Sequence, residues 1–343
     1  MPRIACQEIT NLTGTVLAVA PGTSDHVLLL VSGSPHTIYA LENTATIPRD
    51  VGASAAFSDL VTSTWAGLTL VTRIACLCAA DSPHALFTSD GDVFIVTVQP
   101  KHLSIVHNDT NVTFFIEAIG PDCGVEVHGT EVHVRCSPTV HLRTTTRIAR
   151  DAAFGQHEFT YTTYTFHDPI VGFQLLTENN AFRRKQLAFL TGTRVADENE
   201  VVIFGAPAPV VYKRLAEINT PKTVAVLPDN RTVVAVWENP FDPRRVLMAD
   251  SIGRILVYDT YNRWVVRRVQ QFRDAQCVWI DRDTFLVWSA FRKVFAVFST
   301  RSSERVFFCE CPPSSVVRLF SGGEGRVLFH LNDHLFVLVF HFH

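Results

Sequence analysis

Four side chains that could ligate a metal ion lie close together near the middle of the chain. They are His128, His133, Cys136 and His141. A hairpin that turns at Gly129-Thr130 would bring the first two histidines onto neighbouring strands, but zinc needs three or four such groups to converge. Two exposed hairpin histidines that titrate near neutrality explain the pattern more simply. We therefore predict no metal site and no cofactor.

The eight cysteines do not have the spacing of a zinc knuckle. They stand at positions 6, 76, 78, 123, 136, 277, 309 and 311. The pairs Cys76/Cys78 and Cys309/Cys311 would point to one face of a strand, whereas zinc knuckles use a Cys-x2-Cys spacing. We expect buried, reduced thiols that pack as small apolar side chains.

Motifs that usually carry catalysis are absent from the sequence. It contains no Walker loop, no Gly-x-Gly-x-x-Gly fingerprint, no Gly-x-Ser-x-Gly elbow and no His-Glu-x-x-His pair. No carboxylate or histidine recurs at one position of the repeated units described below. A propeller enzyme with a site in its central channel would need such groups, so we predict that the protein is not an enzyme and has no small-molecule substrate.

Clusters of basic residues are the most useful functional signal. They comprise Arg183, Arg184 and Lys185, then Arg244 and Arg245, and then Arg263, Arg267 and Arg268. Their positions at inferred loops and rims favour a surface that binds protein partners. RNA is the alternative partner. RNA binding would need arginines interleaved with exposed aromatic rings, and Trp264 and Phe182 are candidates for these rings. The formal net charge of -3 provides no overall field for nucleic acid.

A proline-bearing segment places two large aromatic residues beside one of these clusters. Trp237 and Phe241 lie in the stretch 237–243, which we interpret as a loop that precedes Arg244 and Arg245. Aromatic side chains next to arginine have the composition of an interface hot spot. The alternative, equally favoured, is that Phe241 folds down onto its own sheet.

The elements that must position these residues are β-strands. Apolar runs separated by short turns recur along the chain, as in Val27–Val31 and Thr37–Ala40, and again in Val246–Ala249 and Ile255–Tyr258. The hydrophobic fraction is 47% and the charged fraction 18%, which suits a compact body with few solvated helices. A unit this short cannot bury its apolar faces alone, so several copies must stack. This pattern predicts an all-β protein, a β-propeller.

We divide the chain into seven units of one propeller domain over residues 1–343. The approximate blades are 12–43, 69–99, 103–143, 145–206, 210–268, 272–308 and 315–342. Residues 3–10 precede the first unit, and we expect them to supply the outer strand of the last blade, so that an N-terminal strand closes the ring. The competing architecture is a pair of β-sandwiches divided near residue 150.

One unit resembles a WD40 repeat. Residues Arg254-Ile255-Leu256-Val257-Tyr258-Asp259 are similar to the end of the family's third strand, with Tyr258-Asp259 at the position of Trp-Asp. The preceding Asp250-Ser251-Ile252-Gly253 is similar to the turn before that strand. The family's Gly-His dipeptide is missing, so the resemblance is to a divergent WD40-like propeller. With the seven units above, it favours a seven-bladed WD40-like propeller that acts as an interaction platform.

No part of the sequence indicates a secretory signal or a membrane span. The N-terminus lacks a long apolar segment, and no apolar run reaches the roughly 18 residues of a transmembrane helix. We expect a cytoplasmic or nuclear protein without membrane insertion. Its predicted function is that of a non-catalytic interaction scaffold, a propeller subunit of a larger complex. The alternative is an RNA-associated propeller subunit of a ribonucleoprotein.

Overall fold

β-Strands make up almost all of the regular structure. The computed structural model describes residues 3–21, 26–33, 35–42, 49–50, 54–65, 68–74, 84–89, 92–99, 102–107, 110–115, 123–128, 131–137, 140–148, 157–166, 170–176, 200–205, 210–214, 232–269, 272–302, 305–311, 317–332 and 334–341. Within these residues, strands are joined mostly by short turns, and one helix of four residues occurs. We label the sheets A to G in chain order.

Sheets A to C are four-stranded and are built from the N-terminal half of the chain. Sheet A contains β2 (Val16–Pro21), β3 (Val27–Val31), β4 (His36–Leu41) and β8 (Leu68–Ile74). Sheet B contains β9 (His84–Ser89), β10 (Asp92–Gln99), β11 (His102–His107) and β12 (Thr110–Phe115). Sheet C contains β13 (Gly124–His128), β14 (Glu131–Ser137), β15 (Val140–Ile148) and β16 (His157–Thr165). Each sheet runs from its first strand to its last in chain order.

Sheets D and E follow the same order. Sheet D has three described strands, β17 (Gly172–Leu176), β18 (Glu200–Phe204) and β19 (Val210–Arg214). Sheet E has four, β20 (Val233–Glu238), β21 (Arg245–Asp250), β22 (Ile255–Asp259) and β23 (Trp264–Val269). The neighbouring strands of both sheets pair antiparallel.

Sheets F and G each include strands from near the N-terminus. Sheet F contains β24 (Ala275–Trp279), β25 (Thr284–Ser289), β26 (Val294–Ser299), β27 (Arg305–Glu310) and β6 (Ser54–Ala56). Sheet G contains β28 (Val317–Ser321), β29 (Arg326–Leu331), β30 (His334–His341), β1 (Arg3–Ile9), β5 (Arg49–Asp50) and β7 (Val61–Trp65). β1 pairs antiparallel with β30, from Arg3 opposite His341 to Ile9 opposite Leu335. The first strand of the chain therefore lies beside the last.

The chain forms two compact units. The larger unit comprises Met1–Ser137, His141–Thr163 and Asp274–His343, and the smaller comprises Pro138–Val140 and Tyr164–Arg273. Sheets A, B, C, F and G lie in the larger unit, apart from the ends of β15 and β16, and sheets D and E lie in the smaller. A single domain over the whole chain stays a prediction.

Within the larger unit, the first strands of successive sheets are neighbours. β24 of sheet F contacts β28 of sheet G, β28 contacts β2 of sheet A, β2 contacts β9 of sheet B, and β9 contacts β13 of sheet C. Such a succession of inner strands is what a propeller requires. In the described residues it links five sheets, so seven blades are not shown.

The hydrophobic core lies between neighbouring sheets. One cluster joins sheets F and G and includes Trp288 and Phe329, and a second joins sheets G and A through Leu29 and Val337. A third joins sheets A and B. In the smaller unit, Phe204 and Tyr258 belong to a cluster between sheets D and E. In these clusters neighbouring sheets bury their apolar faces against each other, which agrees with the expectation from the repeated pattern.

Three of the outer strands share an irregularity in their pairing. The register shifts opposite Ile38/Tyr39 in sheet A, opposite Val257/Tyr258 in sheet E and opposite Val297/Phe298 in sheet F. Each shift leaves one valine of the outer strand without a residue opposite it. These bulged valines are Val71, Val266 and Val306. A β-bulge of this kind bends the outer strand and increases its twist.

Residues 54–65, which we call the strap, connect sheets F and G. The strap consists of β6, the helix α1 (Phe57–Leu60) and β7. β6 pairs in parallel with β27, and β7 pairs in parallel with β1. The buried ring of Phe57 lies edge-on to Phe329 and Phe336, with ring centroids 5.8 and 5.2 Å away. The strap therefore anchors in the core between the two sheets.

The boundaries of the early units differ from those expected. We placed β8 in a second unit beginning at residue 69, but it pairs with β4 and is the outer strand of sheet A. Likewise β11 and β12, expected in a third unit, pair within sheet B. The strap lies between β4 and β8, and an insertion between two strands of one sheet hides their relation from a local pattern.

Candidate interaction surface

Two turns lie at the same end of sheet E. Residues 239–244 connect β20 to β21, and residues 260–263 connect β22 to β23. In an antiparallel meander, alternate connections lie at one end of the sheet. We call these segments the paired turns, and they carry two of the arginines, Arg244 and Arg263, and one of the aromatic residues, Phe241, that we expected to bind partners.

The first of the paired turns is organised by two polar side chains. Asn239 Oδ1 accepts hydrogen bonds from the backbone N–H groups of Phe241 and Asp242, at 2.9 and 3.2 Å. Asp242 Oδ1 accepts one from the N–H of Arg244 at 3.2 Å, and its carbonyl oxygen accepts one from the N–H of Arg245 at 3.0 Å. Asn and Asp favour turns because their side chains bond to the backbone two or three residues onward. Both residues are buried, which fixes the turn.

The second of the paired turns is organised by Asp259. Its Oδ1 accepts hydrogen bonds from the N–H groups of Tyr261 and Asn262, at 2.9 and 2.7 Å. The Asn262 side-chain amide donates to Asp259 Oδ2 at 2.8 Å. Arg263 closes the turn with a φ of 60°, and its N–H donates to the Asp259 carbonyl at 2.8 Å. A left-handed conformation at a residue other than glycine persists only where the surroundings impose it.

Direct contacts join the two turns. The carbonyl oxygen of Arg244 accepts hydrogen bonds from the N–H of Thr260 at 2.8 Å and from its hydroxyl at 3.0 Å. The Arg244 guanidinium carbon lies 5.3 Å from the centroid of the Tyr261 ring, within the range of a cation–π interaction. Burial raises the pKa of Tyr261, with Asp242 and Asp259 raising it further and Arg244 opposing them. The paired turns are thus one preformed surface.

The outer strand of sheet E continues this surface with exposed side chains. Trp264 is 61% exposed and Val266 is 39% exposed, and Arg268 lies on the same stretch of β23. Arg267 is half-buried, and burial lowers the pKa of its guanidinium. A large exposed aromatic residue among arginines is typical of a protein interface.

The paired-turn arrangement recurs in sheet F. Asp281 Oδ1 accepts the N–H of Asp283 at 2.7 Å, as Asp242 does for Arg244. Thr300 donates its N–H to the Asp283 carbonyl at 2.7 Å and its hydroxyl to Asp283 Oδ1 at 3.1 Å. The Asp-x-[Arg/Asp] turn and its threonine partner therefore repeat at an offset of about forty residues. Asp242 and Asp281, like Thr260 and Thr300, stand at this offset in the sequence, but the predicted repeat did not include them.

Several of the predicted contact residues fall in or beside the paired turns. Trp237 is half-buried in β20 and pairs opposite Leu247, so it belongs to a strand and the loop begins only at Asn239. The alternating pattern of β20 continues beyond Val236 and includes Trp237. Phe241 is half-buried in the first turn, and Arg245 Nε lies 3.9 Å from Asp242 Oδ2. Arg183, Arg184 and Lys185 lie outside the described residues, so their role stays a prediction.

The described residues do not assemble a metal site. No group of three potential ligands converges among them. In sheet C, His128 lies opposite Glu131 and His133 opposite Glu126, so the two histidines do not pair with each other. The six described cysteines form no disulfide. Burial raises the pKa of Cys136 to about 11 and also raises the pKa of Cys6 and Cys277.

Comparisons with known proteins show the fold. A scan against protein-family models found no match, and a search of curated proteins found none. Raptor of Chaetomium thermophilum is similar in structure, with a TM-score of 0.59 and 11% identity over 98% of this chain. Sqt1 of Saccharomyces cerevisiae is similar with a TM-score of 0.52 and 9% identity over 99% of this chain and all of its own length. Together with the succession of inner strands, these similarities show a β-propeller.

The extent of the match differs between the two structures. This chain spans 29% of the Raptor chain and 100% of the Sqt1 chain. Across the described residues, we also find no helix with the length and apolar character needed to cross a membrane.

Proposed function

We propose that the protein is a non-catalytic interaction scaffold, a propeller subunit of a larger complex, whose protein partners bind at the paired turns of sheet E. The observation that carries this proposal is the preformed surface of Arg244, Tyr261 and Arg263. Its turns are held by the buried side chains of Asn239 and Asp242 and by the half-buried side chain of Asp259. A surface that is ordered before binding loses less conformational entropy when a partner docks.

The proposed scaffold is a seven-bladed ring closed by β1. Support comes from the described strands, which form seven sheets, and from the pairing of β1 with β30. A closed ring removes the sheet edges that otherwise promote association with other chains.

Proteins are favoured over RNA as partners because the local charges are mixed. Asp242 and Asp259 lie within the paired turns, and Asp242 is near the side chain of Arg245. These carboxylates reduce the positive field that a phosphate backbone requires. The two structural neighbours give no support to the RNA alternative.

Affinity purification of tagged protein from its native cell tests this function. We expect Arg244→Glu with Arg263→Glu to lose the co-purifying proteins, because both changes invert charge on the preformed surface. The matched control is Arg318→Glu, an exposed arginine on β28 of sheet G, which should retain them. Ribonuclease treatment should leave the co-purifying proteins in place. Retention that disappears with ribonuclease, or falls steeply between low and moderate salt, would show RNA binding and overturn the proposal.

A further inference from the structure

The outer edges of sheets F and G are covered by the chain itself. In sheet F, the strap residues Ser54, Ala55 and Ala56 lie opposite Phe308, Cys309 and Glu310 of β27 in a parallel pairing. In sheet G, β7 pairs in parallel with β1 and β5 pairs with it antiparallel. The outer strands of this protein therefore accept extended segments as added strands.

The bulged valine of sheet F lies two residues before the part of β27 that pairs with the strap. Val306 is partly buried, and both it and Ala55 of the strap pack against the core cluster between sheets F and G. In sheet A, where the bulged strand β8 pairs only with β4 among the described strands, Val71 is 45% exposed. The bulged valine is therefore more buried in sheet F, whose outer strand pairs with the strap, than in sheet A.

Sheet E has the same bulged edge without a covering strand. Among the strands that the structure describes, β23 pairs only with β22 and ends the order of its sheet. Its bulged Val266 is 39% exposed, and the adjacent Trp264 is 61% exposed. Arg268, at the position of Phe308 relative to the bulge, is also exposed. The edge combines a backbone template, an apolar patch and a positive charge.

We propose that β23 binds an extended segment of a partner protein as an added parallel strand, and that this segment alternates acidic with apolar side chains. The inference rests on the proposed scaffold function and names the chemistry of one partner. Main-chain hydrogen bonds supply affinity in this mode of binding, and side chains at alternate positions supply specificity. Trp264 and Val266 would contact the apolar residues, and Arg268 would pair with a carboxylate.

The composition of the edge argues for an acidic partner rather than a second copy of the chain. Natural sheets protect their edges with charged residues, and arginine alone could serve this purpose here. Protection does not explain a tryptophan that is 61% exposed beside the bulge. Pairing two copies of β23 would bring two arginine-bearing strands together, and like charges on adjacent strands are unfavourable.

Binding of a synthetic peptide that alternates glutamate and valine tests the proposal. Its fluorescence anisotropy would be measured with the full chain, and amide hydrogen exchange would locate the contact. We expect binding, with slower exchange in β23. Trp264→Lys and Arg268→Glu, both at exposed positions, should each weaken binding about tenfold. The matched control Val71→Lys, at the bulge of sheet A, should leave binding unchanged.

Three outcomes of the peptide experiment would overturn the proposal. They are a lack of binding, equal binding of a peptide that alternates lysine and valine, and equal loss with Val71→Lys. Concentration-dependent dimers that disappear with Trp264→Lys would identify a second copy as the occupant instead. The paired-turn variants distinguish a failure of this proposal from a failure of the proposed scaffold function. If partners still co-purify with Trp264→Lys and Arg268→Glu but not with Arg244→Glu and Arg263→Glu, then the scaffold function stands and the β23 inference is wrong.

Discussion

Sheets E and F have similar turns and strands, but they differ in whether a further described strand pairs with their outer edge. Both have an aspartate-organised first turn whose backbone carbonyl binds a threonine, Thr260 in sheet E and Thr300 in sheet F. Both have a bulged valine in the outer strand. In sheet F the strap pairs with the outer edge of this strand, whereas in sheet E the described strands pair with β23 only on its β22 side.

The difference shows that the strands of a sheet do not by themselves determine whether another segment covers its outer edge. In sheet F that state depends on residues 54–56, which are remote in sequence from β27. Turns and strands arise from local patterns, but the covering of an edge depends on which distant segment can reach it. An uncovered edge that keeps large apolar residues is therefore the better candidate for binding a partner.

The largest effect is expected from removing the strand that anchors sheet G and the strap. Deletion of residues 1–10 removes β1, including the buried Ile4, Cys6 and Ile9. It takes away the strand with which β5 and β7 pair, and it leaves β30 paired only with β29 among the described strands. We expect the free energy of unfolding to fall by about 5 kcal/mol or more, comparable to the whole stability of many domains. Urea unfolding would measure this loss. An unchanged transition would contradict the closure of the ring by β1.

Alanine substitution of one tryptophan in each sheet sharpens the contrast between them. Trp288 of sheet F is 1% exposed, and its ring centroid is 4.9 Å from that of Phe295, whereas Trp264 of sheet E is 61% exposed. Trp288→Ala should lower the free energy of unfolding by about 3–5 kcal/mol through lost burial and a cavity. Trp264→Ala should change it by about 0.5 kcal/mol or less. Similar losses in urea unfolding would mean that Trp264 is structural.

Loosening the strap should make sheet F resemble sheet E. Phe57→Ala removes the ring that packs on Phe329 and Phe336, with an expected loss of about 3 kcal/mol in the free energy of unfolding. Amide exchange in β27 should become faster, because β6 would separate from it more often. Alkylation of the buried Cys309 should also accelerate.

The control for the strap is its exposed neighbour. Ser58→Ala leaves the ring contacts intact and should alter neither amide exchange nor alkylation. If β27 exchanges at the same rate in Phe57→Ala as in the parent chain, then Phe57 does not hold the strap on sheet F.

A smaller loss than those expected for Trp288→Ala and Phe57→Ala concerns the turns that sheets E and F share. Asp242→Ala and Asp281→Ala each remove the acceptor for a backbone N–H, so each should cost about 1 kcal/mol of unfolding free energy. Glu324→Ala, at an exposed position, is the control. Only Asp242→Ala should also weaken partner binding, since it disturbs the paired turns. Equal retention of partners in the two aspartate variants would place binding elsewhere.

Part of the candidate surface could be predicted from residue types alone. Arginine clusters indicated Arg244 and Arg263, and both belong to the paired turns. Tyr261 was missed because nothing in its sequence neighbourhood distinguishes it from an ordinary turn residue. Its contact with Arg244 arises only when two turns remote in sequence meet at one end of the sheet. Trp237 was placed in a loop because the nearby prolines obscured the end of β20.

The sequence by itself determined that the chain is built from β-strands in short repeated units that must stack. Alternating apolar residues and turn formers are local signals, and the need to bury a sheet face follows from them directly. Only the tertiary structure decided that β8 belongs to sheet A, that the strap covers sheet F, and that β23 has no described partner beyond β22. The physical reason is that strand pairing across an insertion depends on which backbone edges meet in space, and any extended segment can satisfy the same hydrogen bonds.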